Sequence, residues 1–136
     1  RRARQHFFDN KPAFKLLRDR VERASKKGYL KGLDGRKIYI RTAHASLNSL
    51  LQGAGAVIMK KALCLLDNYI RDNNLEAKFV ANIHDEWQIE AESTKENATA
   101  VGEFGIKAIQ EAGEHFVLRC PLTGEYKIGE DWSETH

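Results

Sequence analysis

The stretch AHASLNSLLQGAGAVIMKKALCLLDNYIRDN, beginning at residue 43, restricts the fold more than any other part of the chain. Leu47, Leu50, Leu51, Ala54, Val57, Ile58, Leu65 and Tyr69 recur near helical spacing and predict one long helix at about 44–72 with a broad buried face. Short hairpins and further helices surround it. Upstream, Asp34-Gly35 is a strong hairpin signal between strands at Tyr29–Leu33 and Arg36–Arg41. Ahead of that hairpin a helix is expected at about 11–27, apolar at Phe14, Leu17, Val21 and Ala24. Asp9 or Asn10 would cap it, Pro12 suits its first turn, and Gly28 ends it after Lys26 and Lys27. Downstream, strands are expected at 78–83 and 87–92, then a helix at about 94–114 capped by Ser93 or Thr94, and one strand in GEYKIG, 124–129. This order predicts an α+β domain with a mostly antiparallel sheet and a single core.

Charge is unevenly spread. Residues 1–41 hold 14 Lys/Arg against 4 Asp/Glu, whereas the rest holds 8 against 15. A basic segment ahead of an acidic one suits contact with a polyanion at one end, although a solvated helix face has the same composition. Cys64 and Cys120 lack metal-ligand spacing and read as reduced structural thiols of a cytoplasmic protein. No uninterrupted apolar run approaches the roughly 20 residues of a membrane span, and no membrane partner is expected.

Two clusters carry candidate chemistry. His84, Asp85 and Glu86 fall together where the hairpin of residues 80–92 should turn, with no Gly to relieve the backbone. Asp85 at such a tip could ligate a hard cation such as Mg²⁺, or the tripeptide could be a charged surface turn. His6, His44, His115 and His136 supply no convincing further ligands. The second cluster is His44, Asn48 and Gln52, spaced i, i+4, i+8. Such a polar stripe could donate to the minor-groove acceptors that every base pair presents in similar places, or it could be a polar helix start. Gly53 and Gly55 do not make a dinucleotide fingerprint, because the third Gly is missing and the motif sits inside a helical pattern. The small run 53–56 instead lets another backbone come close.

GYLKGLDGRKIYIR, HASLNSLLQGAGAVIMKKAL, IHDEWQIE and YKIGEDWSETH stand in the order and spacing of the C-terminal end of family A DNA polymerases, which this chain resembles from about residue 7 onward. The resemblance is closest to the phage replicative branch. It implies a palm-type antiparallel sheet whose motif C hairpin carries HDE, packed against long helices. Asp85 would then be one of two metal-binding aspartates, with His84 and Glu86 near the primer terminus. His44, Asn48 and Gln52 match positions that contact the primer–template minor groove, while Arg36, Lys37 and Arg41, with Lys26, Lys27 and Lys31, are candidates for phosphate contacts. The implied chemistry is nucleotidyl transfer with two Mg²⁺ ions, on primer–template DNA and a dNTP. By family order, residues 1–136 correspond to the C-terminal part of the polymerase domain, the palm with the adjoining helix 11–27. The strand with the other aspartate, the fingers, the thumb and any exonuclease part would lie upstream. The expected partners therefore include that N-terminal part, with room for a processivity factor, in the cytoplasm of a host if the gene is a phage's. A non-catalytic DNA-binding remnant is the alternative.

Overall fold

Pro12 sets the first break in the chain. The computed structural model describes residues 2–135, and the side chains of residues 6–135. The helix expected over 11–27 is Pro12–Ser25 (α2), and a second helix that was not expected, Arg2–Asn10 (α1), precedes it. A proline disfavours helical backbone at the residue before it, and Lys11 accordingly sits at φ −132° and ψ 66°. Asp9 and Asn10 therefore close α1 instead of capping α2. Of the predicted apolar face, Val21 is buried, whereas Phe14 and Leu17 remain 38% and 43% exposed. Phe14 meets the rings of Phe7 and Phe8.

The chain divides into two compact units, Arg1–Ala54 and Gly55–His136, rather than building on one core. In the first, Tyr29–Lys31 (β1) and Lys37–Tyr39 (β2) pair antiparallel, with Leu30 opposite Ile38. The strands are shorter than expected because the turn takes five residues. Gly35 donates its N–H to the Gly32 carbonyl at 3.0 Å, and its φ of +85° is the left-handed geometry that Gly adopts freely. Ile38 lies over two glycines: a Cβ at Gly53 would meet its Cδ1 at 3.0 Å and one at Gly32 at 3.2 Å. What comes close at Gly53 is therefore the Ile38 side chain and not the backbone expected along residues 53–56, while Gly55 faces open space.

A 3₁₀ turn, Ala43–Ala45, leads into the long helix Ser46–Asp72 (α3), within which the division between units falls. The second unit continues with strands Ala77–Ile83 (β3) and Glu86–Ala91 (β4), and helices Lys95–His115 (α4) and Trp132–Thr135 (α5). As expected, Thr94 caps α4, accepting from the Asn97 N–H. The core joins Ala62, Leu66 and Ile70 of α3 to Ala108 and Ala112 of α4, with Phe79, Trp87 and Ile89 packed against them. Tyr69 stacks on Phe104 at 5.0 Å and donates its hydroxyl to Glu111 Oε2 at 2.6 Å. That hydrogen bond, with desolvation and the Glu111 charge, pushes the Tyr69 hydroxyl up to about 12.

The strand expected at 124–129 does not form; these residues pair with no strand. They lie against α4 instead, where glycines make room. A Cβ at Gly102 would fall 2.4 Å from the Tyr126 ring, and one at Gly113 3.1 Å from Leu122. Gly102→Ala should therefore destabilise the protein, because displacing a ring costs about 1–3 kcal/mol and exceeds the roughly 1 kcal/mol that Ala gains over Gly in a helix. In a Tyr126→Ala background the same change should stabilise. Urea unfolding of the four proteins tests this sign reversal; an equal effect in both backgrounds would mean that the ring does not occupy that place. Beyond it, Asp131 caps α5, its Oδ1 accepting from the Ser133 N–H at 2.8 Å and hydroxyl at 2.6 Å.

Two expectations about the surface change. Cys64 and Cys120 are free, as expected, but both are exposed and pack in no core. Residues Ala43–Asp72 are long and apolar enough, by length and composition, to cross a membrane, although no uninterrupted apolar run is present. Core helices of soluble proteins pass the same test, but they are mostly buried, whereas only 11% of the apolar window here is buried, Ala62 and Leu66 among the buried residues of the helix.

Candidate functional site

The hairpin that carries HDE begins from its floor. Trp87 and Ile89 of β4 pack against the core of the second unit, two residues apart on one face of the strand. Phe79 pairs with Ile89 and Ala81 with Gln88, so Val80 is an extra residue in β3, a bulge that leaves it 67% exposed. Such bulges re-aim a strand near its end. Ile83 pairs with Glu86, leaving only His84 and Asp85 for the loop.

A two-residue hairpin loop needs positive φ, and no Gly is available. His84 supplies it, at φ +56°. Histidine is among the few residue types enriched in that region, so an L-residue can hold the turn at modest cost. The result is a short, anchored tip with His84 and Asp85 exposed and Glu86 half-buried. The Glu86 carboxylate accepts from the Gln88 side-chain amide. Trp87 Nε1 is buried with no hydrogen-bond partner among the described residues.

The Asp85 carboxylate has the hard oxygen donors that Mg²⁺ prefers and is reachable from solvent. Among the described residues, however, no group of three or more His, Cys, Asp or Glu side chains could hold a metal ion. Asp85 therefore fits as one ligand of an incomplete set. His136, one of the scattered histidines, lies outside the described residues.

The first unit carries the other candidates. His44 in the 3₁₀ turn and Asn48 and Gln52 in the first turns of α3 are all exposed, so the stripe is a surface feature and not a buried amide network. Arg36, Lys37 and Arg41 are exposed as well, as are Lys26, Lys27 and Lys31. They differ in what they already bind. Arg36 Nε sits 2.5 Å from Asp34 Oδ2 and holds the turn together. Desolvation pushes the Asp34 carboxyl up, but the Arg36 backbone N–H and guanidinium outweigh it and hold the group below its usual range. Lys37 Nζ lies 4.8 Å from the centre of the Tyr29 ring. Tyr29 and Tyr39 lie among the hairpin cations but were not among the expected site residues. The alternation in KIYIR, which puts Lys37, Tyr39 and Arg41 on one face, was the signal available.

Comparison with known proteins decides what kind of chain holds these pieces. The model of DNA polymerase family A matches residues 2–134. The chain belongs to DNA polymerase family A. It is 34% identical over 140 residues to the DNA-directed DNA polymerase of Escherichia phage Phieco32, covering 98% of this chain and 22% of that protein. It is 37% identical over 134 residues to DNA polymerase I of Aquifex aeolicus, covering 96% of this chain and 23% of the relative. Phage and bacterial family A members thus match at similar identity, which fits a phage origin without selecting it. The chain spans about a fifth of the length of these relatives. A solved family A structure, the POL domain of Pol1 from M. smegmatis in complex with DNA primer-template and dNTP, matches 76% of this chain and 21% of its own, at 25% identity and a TM-score of 0.65. The mixture of helices with small antiparallel hairpins is that of a family A polymerase domain.

Proposed function

We propose that this chain supplies the primer–template surface and one metal-binding carboxylate of a DNA-directed DNA polymerase. The observation that carries the reading is Asp85, an exposed carboxylate on a two-residue tip anchored in a core, in a chain of this family. The reaction joins the primer 3′ oxygen to the α-phosphorus of a dNTP and releases pyrophosphate. Magnesium, when bound, supplies Lewis acidity at the reacting phosphate; from this chain Asp85 would hold it, and the other ligands would come from elsewhere in the polymerase. His84 and Glu86 would sit beside the primer terminus, with Glu86 oriented by Gln88. His44, Asn48 and Gln52 would follow the minor groove as donors, and Lys37 and Arg41 would meet phosphates. Arg36 contributes less than expected in this reading, because Asp34 already neutralises it.

The partners that follow are primer–template DNA, a dNTP and the remainder of the polymerase, with a processivity factor as a further candidate. The setting is cytoplasmic. In it α3 serves as a core and DNA-facing helix, not a membrane span. DNA binding without catalysis is the second reading, favoured by the lack of a complete metal-ligand group among the described residues.

Both readings need the basic hairpin on DNA. Replacing Lys37 and Arg41 together by Ala should weaken primer–template binding regardless of sequence. Each lost phosphate contact should flatten the slope of log affinity against log salt by about 0.9. Fluorescence anisotropy titrations across a salt series read both effects. An unchanged slope would remove the hairpin from the DNA interface.

A further inference from the structure

One face of the β1–β2 hairpin gathers several positive charges. Strand alternation turns Leu30, Ile38 and Ile40 inward and leaves Lys31, Lys37, Tyr39 and Arg41 exposed. The register places Lys31 directly opposite Lys37 and Tyr29 opposite Tyr39. Like charges opposite one another destabilise a strand pair. A third ammonium adds to them, because Lys27 Nζ and Lys37 Nζ each lie 4.8 Å from the centre of the Tyr29 ring. The acid in the turn, Asp34, is committed to Arg36. Lys27, Lys31, Lys37 and Arg41 therefore share a face with no carboxylate paired to any of them among the described residues.

The two tyrosines are not equivalent. Tyr29 is half-buried and its ring is occupied by the lysines. Tyr39 is 78% exposed, second among the large hydrophobic side chains of the described residues to Val117 at 85%. It lies between Lys37 and Arg41 on one strand face, and its ring stacks on no other aromatic among the described residues. A polyanion would relieve the repulsion, and a flat ring would take the face of a base.

We propose that this face binds single-stranded nucleic acid, with phosphates at Lys31, Lys37 and Arg41 and one unpaired base stacked on Tyr39. Duplex DNA satisfies the cations but hides its base faces in its own stack, whereas an unpaired strand offers both chemistries at once. An acidic protein segment would likewise answer the charge and leave the exposed ring unexplained. The inference rests on the polymerase reading for its setting, where it assigns the hairpin to the unpaired part of the template strand.

The test compares Tyr39→Ala and Tyr39→Phe in this chain, binding a fluorescent oligothymidylate, a blunt duplex of equal length and poly-glutamate. Circular dichroism melts establish that both variants fold. Losing one stacked base should weaken oligothymidylate binding by about 5- to 100-fold in Tyr39→Ala, with Tyr39→Phe close to the parent and duplex binding unchanged. No change in oligothymidylate binding, or an equal loss for duplex, would overturn the stacking role. Poly-glutamate binding as tight as the oligonucleotide and equally dependent on Tyr39 would transfer the face to a protein partner. The outcome is separable from the catalytic reading, since Asp85 has no part in these titrations.

Discussion

Asp85→Asn, placed in a complete polymerase that carries this stretch, is expected to lower nucleotide incorporation on the order of 10³-fold while leaving primer–template affinity nearly intact. The substitution keeps the size of the side chain and removes its charge. An amide oxygen remains a ligand, but it no longer offsets the charge of a divalent cation, and that deficit is felt most where negative charge builds on the transferring phosphate. The tip itself should survive. Asn suits turns as well as Asp does, and Asp85 is exposed, so no buried interaction is lost. Rapid-quench single-turnover kinetics separate the chemical step from binding. A loss of less than tenfold would show that Asp85 is a surface charge and would leave DNA binding without catalysis as the better account.

Gln52→Ala in the same polymerase should act on discrimination more than on rate. Ala is the better helix former, and Gln52 is exposed on α3, so the fold is not at risk. Extension of a matched primer end should fall by about 2- to 10-fold, the worth of one neutral hydrogen bond. A mismatched end displaces its groove acceptors and has little of that contact to lose. The ratio of mismatched to matched extension should therefore rise by a similar factor. Steady-state extension from both ends measures it, and an unchanged ratio would make the stripe a solvated helix surface with no role in checking pair geometry.

Where periodicity was long, the sequence carried the fold. The pattern predicting a helix at 44–72 gave Ser46–Asp72, and the one at 94–114 gave Lys95–His115. Both run for several turns, so no single residue decides them. Short elements depended on single residues whose partners were distant. Asp9 and Asn10 looked like caps, but the constraint came from Pro12 acting backward on Lys11. YKI looked like a strand, yet what holds it is the notch at Gly102, more than 20 residues away in sequence. The candidate site divides in the same way. The place of Asp85 at a hairpin tip was legible from the strands expected on either side of it, and the 44–48–52 line as one polar stripe from its spacing, whereas the exposure of that stripe was not. The commitment of Arg36 to Asp34 was not, because charge counting does not say which charges are already answered.

The left-handed residue at the tip also limits which replacements are informative. At φ +56°, position 84 is a place where an ordinary side-chain deletion is two experiments at once. Alanine there removes the imidazole but retains a Cβ in a region that disfavours it, whereas glycine removes the imidazole and relaxes the backbone as well. Asparagine, at ease in that conformation, changes the chemistry alone. Any natural variation at this position would face the same choice, so a histidine at the tip trades backbone comfort for an imidazole next to Asp85.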